Sequence, residues 1–189
     1  MKETFTLTWK LLLISAFVTA LLAFVNSVTK PIIAENDQKN FEMAMAEVLP
    51  GAEGFEECSI KEFTSTETGV TLDSVHASKS GGYVVSTICS EGYGGDINVM
   101  VGIDENLSVT QIKIMSMSET PGLGAKATEP KFYEQYNGLT SGISVIKNAE
   151  VSGNQIAAIS GATVTSKAVT KAVNTALEAA TYVAEKGGN

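Results

Sequence analysis

The chain has 189 residues, with 13 lysines and no arginine against 21 Asp plus Glu, and a net charge of −8 at pH 7. Such an acidic balance disfavours nucleic acid and anionic lipid and offers no arginine clamp for a large polyphosphate. With two cysteines, one histidine, no C-x-x-C and no G-x-S-x-G, the sequence supports neither an iron–sulfur or zinc site nor a Ser-His-Asp hydrolase.

Residues 1–10 form a short tail. Residues 11–28 carry no charge and are dominated by Leu, Ala, Val, Ile and Phe. At ~1.5 Å per residue this run spans about 27 Å, close to a hydrocarbon core. Trp9 and Lys10 on one flank and Lys30-Pro31 on the other suit membrane interfaces. A cleaved signal peptide is the competing reading, but the run is longer than a typical signal core and no clear A-x-A site follows. Lysines before and after the span tie, so charge alone leaves the orientation open. Residues 29–51 form a juxtamembrane segment. Within it, helical spacing through Phe41, Met45 and Val48 predicts a helix over 36–48 that ends at Pro50-Gly51.

Residues 52–189 suffice for one domain and not comfortably for two. Residues 63–69 read as loop, and His76 as a strand surface residue. Strands are expected at 82–89, 97–103 and 109–115, joined by a glycine-rich turn at Gly92 and a hairpin at Asp104-Glu105-Asn106 into an antiparallel meander. A short helix follows at 129–136, then an extended segment at 144–147. The last helix, 165–185, presents Val169, Ala172, Val173, Ala176, Leu177, Ala180 and Ala184 as an apolar stripe. The fold class is therefore α+β: a single transmembrane helix, then a soluble domain whose antiparallel sheet is packed by helices. Cys58 and Cys89 carry little pattern; separate thiols are expected, although an outer location would permit a disulfide.

Ser160-Gly161-Ala162-Thr163-Val164-Thr165-Ser166 opens the last helix. Free amides and partial positive charge at a helix start can hold a phosphate. Lys167 and Lys171 lie within the first two turns and can add charge. Taken alone, the string reads more readily as an ordinary helix cap. Glu119-Thr120-Pro121-Gly122-Leu123-Gly124-Ala125-Lys126 reads as a Pro-Gly turn, and Glu91-Gly92-Tyr93-Gly94-Gly95 as a connection between strands.

The three strings together, in this order, resemble the signatures of a family of membrane-anchored flavoproteins. It comprises the G subunit of the Rnf complex (ion-translocating ferredoxin:NAD oxidoreductase) and the related C subunit of the sodium-pumping NADH:quinone oxidoreductase. The resemblance implies FMN esterified through its phosphate to Thr163, among Ser160, Gly161, Ala162 and Thr165. It implies that Glu119, Thr120, Pro121, Gly122, Leu123, Gly124 and Lys126 wall the flavin, with Gly92, Tyr93 and Gly94 beside it. Thr165 is the alternative acceptor. The family usually has Asp three residues before the motif's Ser, and Ala157 stands there.

The implied role is that of an electron-transfer subunit in the cell membrane, with no catalytic activity of its own and its soluble domain on the outer face. Its implied partners are the other membrane and peripheral Rnf subunits and, during maturation, a flavin transferase. Chain length favours the Rnf subunit over the C-type subunit. A membrane-anchored, non-redox binding domain that has lost its flavin is the more distant alternative.

Overall fold

The computed structural model describes residues 2–58, 60, 63–147 and 150–186, with side chains from residue 8 onward. By contacts the chain divides into two units, residues 1–43 and 44–189.

Helix α1 (Lys2–Val48) runs 47 residues without the interruption expected between residues 28 and 36. Pro31 lies inside it, where proline costs one intrahelical hydrogen bond without forcing the helix to end. The polar stretch beyond is held by an ion pair between Glu35 and Lys39 at 2.7 Å and by a Gln38 to Glu42 hydrogen bond. The apolar part is long and apolar enough to cross a membrane, and none of it is buried. Leu11, Phe17 and Phe24 are among its exposed side chains.

The domain is built on a five-stranded antiparallel sheet in the order β1-β2-β3-β4-β5. The strands are β1 (Phe55–Glu57), β2 (Val70–Ser78), β3 (Tyr83–Cys89), β4 (Ile97–Ile103) and β5 (Val109–Ser116). The meander β3–β5 follows the expected spans, and β1 and β2 extend it. His76 sits half-buried on β2. Helix α2 (Pro130–Tyr133) starts on a proline and runs into a 3-10 turn over Glu134–Tyr136. Strands β6 (Ser144–Ile146) and β7 (Gln155–Ala157) form a separate parallel pair.

Alternation decides what covers each sheet face. Val85, Cys89, Val99, Val101, Ile103 and Ile112 join α3 (Thr163–Lys186) in one buried cluster. Alanines at 168, 172, 176, 179 and 180 let the helix backbone approach the sheet, and Thr87 donates a hydrogen bond at 3.2 Å to the Ala172 carbonyl. The stripe follows the predicted spacing until its last member. Ala184 is exposed, and Ala179 and Val183 take over the core face. On the opposite face lie Val84 and Met100, also buried. The last residues of α1 belong to this unit: Ala44, Met45 and Val48 are buried, and Thr110 donates to the Val48 carbonyl at 2.5 Å. A side chain at Gly102 would collide with that carbonyl. Cys58 and Cys89 are separate thiols, and burial pushes the Cys89 thiol up from its ordinary value.

Candidate functional site

The chain enters α3 through a tight turn. The Ala162 N–H bonds the Ile159 carbonyl at 2.9 Å, and Gly161 takes φ +78°, which that turn position requires. Ser166 then staples the turn to the helix. Its hydroxyl accepts the Ile159 N–H at 3.0 Å and donates to the Ala162 carbonyl at 2.9 Å. The first intrahelical bond is Ser166 N–H to Ala162 O. The amides of Thr163, Val164 and Thr165 therefore have no acceptor among the described residues, as expected of a first helical turn.

The two candidate hydroxyls are not equivalent. Thr165 is 1% exposed and donates to Glu119 Oε2 at 2.9 Å. Thr163 is half-buried, lines a cleft, and its hydroxyl has no partner among the described residues.

That cleft measures about 500 Å³, within the usual range for small-molecule sites. It brings together residues from all three strings: Tyr93; Glu119, Thr120, Leu123 and Gly124; and Gly161 to Thr165. Tyr93, Leu123 and Val164 stand out from its rim at 75%, 43% and 50% exposure. The floor is polar. Glu119 is 9% exposed, and its other oxygen accepts the Gly94 N–H at 3.1 Å. One carboxylate thus ties the Gly92 turn to the start of α3. A Cβ on Gly124 would lie 2.7 Å from the Thr165 hydroxyl, and one on Gly92 would lie 2.9 Å from Glu119 Oε1. Both glycines make room for this carboxylate.

Residues 92–178 match the FMN-binding domain family and residues 6–48 the RnfG N-terminal region. The G subunit of the Na(+)-translocating ferredoxin:NAD(+) oxidoreductase complex of Acetobacterium woodii is 34% identical over 94% of this chain and 95% of its own. The G subunit of the ion-translocating oxidoreductase complex of Methanosarcina acetivorans is 36% identical over 94% and 93%. The chain belongs to the RnfG family. Among solved structures, the crystal structure of Shewanella oneidensis NqrC overlaps 53% of this chain and 53% of that one, at 22% identity and a TM-score of 0.48.

Within this member of the RnfG family, several residues singled out from sequence stand outside the cleft lining. Gly92 and Gly94 shape the turn behind Tyr93, and Pro121 and Gly122 form the exposed tip of the next loop. Lys126 is turned away by a 3-10 segment over Gly124–Thr128 and lines a second groove of about 370 Å³ with Lys131, Phe132, Ala157 and Ser160. Ala157 is gripped there by Gln135, which accepts its N–H at 2.8 Å and donates to its carbonyl at 3.4 Å. Lys171 does not face the cleft. Its ammonium binds Glu91 Oε2 at 2.9 Å and the Thr68 carbonyl at 3.3 Å. Val164 was missed as a wall residue. Its signal was an apolar side chain between two hydroxyls, ahead of the core stripe.

Proposed function

We propose that this chain carries FMN as the electron-relaying flavoprotein subunit of an Rnf-type ion-translocating ferredoxin:NAD oxidoreductase. Supporting this reading are RnfG family membership over nearly the whole chain and a cleft built by all three strings. The site fits the group. Three unpaired amides at the start of α3 suit a phosphate, and Tyr93, Leu123 and Val164 offer flat or apolar surface to a ring. The single observation that carries covalent attachment is the contrast in hydroxyls. Thr163 faces the cleft with no hydrogen-bond partner among the described residues, and Thr165 is buried and already bonded.

When bound, the flavin supplies the redox chemistry, and the protein supplies binding, orientation and electrostatics. The first-turn amides would hold the phosphate, and Thr163 Oγ1 would be the alcohol oxygen joined to it. The loops around Tyr93 and Leu123 limit how the ring can lie. On this reading the chain acts as a carrier between other subunits. A flavin transferase completes it during maturation. Helix α1 anchors it by a single pass with the domain on the outer face, a placement that protease access in whole cells reads directly.

The decisive test is the intact mass of the chain co-expressed with a flavin transferase. A gain equal to FMN minus one water is expected in the wild type and in Thr165→Val, and no gain in Thr163→Ala. A gain that survives Thr163→Ala overturns the assignment.

A further inference from the structure

Glu119 presents an arrangement that flavin binding alone does not require. Its carboxylate lies at the bottom of the cleft, 9% exposed, with both oxygens engaged by different elements: Gly94 N–H on Oε1 and the Thr165 hydroxyl on Oε2. Gly92 and Gly124 leave the space it fills. A structural tie between two loops could use neutral groups. A poorly hydrated carboxylate in the lining of a ligand cleft adds a fixed negative charge, and such charges act strongly where water is scarce.

We propose that Glu119 is a positioning residue with two effects: it locks the Tyr93 turn to the start of α3, and its charge holds the bound flavin at a lower potential. This rests on the reading of the cleft as the FMN site. Reduction adds electrons to the ring, and a neighbouring negative charge opposes that addition. The reduced carrier is thereby made a stronger donor.

Glutamine separates the two effects. In Glu119→Gln the amide oxygen can still accept the Gly94 N–H, and the amide NH₂ can donate to Thr165, whose hydroxyl turns to accept. The tie survives and the charge is gone. Glu119→Ala removes both.

Two readouts on the full-length chain in detergent test the proposal. Hydrogen exchange at the Gly94 amide needs no flavin. Protection is expected in the wild type and Glu119→Gln, and at least tenfold faster exchange in Glu119→Ala. Equal protection in all three overturns the tie, as does its loss in Glu119→Gln. The second readout is a spectroscopic redox titration of the flavinylated chains. At a given potential Glu119→Gln is expected to hold a reduced-to-oxidised flavin ratio at least tenfold higher, about 30 mV for a two-electron couple. An unchanged potential with Gly94 still protected overturns the charge effect. A wild-type chain that takes up no flavin from a competent transferase sinks the FMN reading itself, and the exchange data still decide the tie.

Discussion

Helices α1 and α3 are both long and rich in alanine and aliphatic side chains, yet only α3 has an inside. Along α3 the apolar stripe of Val169, Ala172, Val173, Ala176, Leu177, Ala180 and Val183 recurs at three and four residues and is buried in the domain core. Along the apolar part of α1 every direction is apolar and none of it is buried. A helix of the first kind is held by packing against its own domain. A helix of the second kind is long and apolar enough to cross a membrane and finds no packing partner for its apolar side chains among the described residues. The difference also explains where chemistry can sit. Because the core stripe stabilises α3 downstream, its first turn can leave three amides and the Thr163 hydroxyl at a cleft without partners among the described residues.

The comparison breaks most visibly at leucine. Leu177 is 1% exposed within the core cluster, so Leu177→Ala should destabilise the domain by about 2–5 kcal/mol through lost transfer energy and a residual cavity. Leu21→Ala in α1, at 53% exposure, should leave domain unfolding within about 0.5 kcal/mol of wild type. Denaturant unfolding in detergent can follow the two regions separately. All five tyrosines lie between residues 83 and 182, and the single tryptophan, Trp9, is in α1. Equal effects of the two substitutions would mean that α1 packs on protein and not on lipid.

A smaller effect is expected at the entrance to α3. Ser166→Ala leaves the Ile159 N–H without its acceptor and removes the clasp on the Gly161 turn. One unsatisfied, half-buried donor costs about 1–3 kcal/mol. The same variant should slow flavin attachment at Thr163, at the end of the loosened turn, in a time course followed by mass. Full stability together with normal attachment would show that the amides are held in place by the stripe alone.

Sequence made one class of feature readable and hid another. Helix α3 and strands β3 to β5 have unbroken apolar periods, and their spans were legible within a few residues. Strand β2 was not. A bulge between Leu72 and Ser74 shifts its alternation, so Leu72 and Val75 share a face although they are three apart. The expected gap in α1 failed for a related reason: Lys30-Pro31 reads as a boundary, but one proline does not stop a helix whose neighbours continue it. At the site, the three strings identified the cleft, but adjacency in sequence misplaced Lys126, because a 3-10 turn reverses its direction. The tie through Glu119 was invisible, since it joins residues 25 and 46 positions apart.

The smallest effect separates Lys171 from the cleft it was expected to serve. Its ammonium, beside Glu91, is raised above its ordinary 10.5, first by the hydrogen bond to that carboxylate. Glu91 is lowered below its ordinary 4.5, first by the same hydrogen bond. A depressed carboxyl stabilises the fold above about its ordinary value and loses that contribution as pH falls through its lower folded value. A raised ammonium stabilises below its ordinary value and loses the contribution as pH rises through its higher folded value. One pair is seen from both sides, so its contribution should be flat from about pH 5 to 10 and fade at both ends. The thermal midpoints of wild type and Lys171→Met should therefore differ slightly on that plateau and converge in acid. Because the pair is solvent-exposed, the difference should also shrink with salt. Flavin attachment should be unchanged in Lys171→Met. A clear loss of attachment at unchanged stability would return this lysine to the phosphate, against the Glu91 and Thr68 contacts that now account for it.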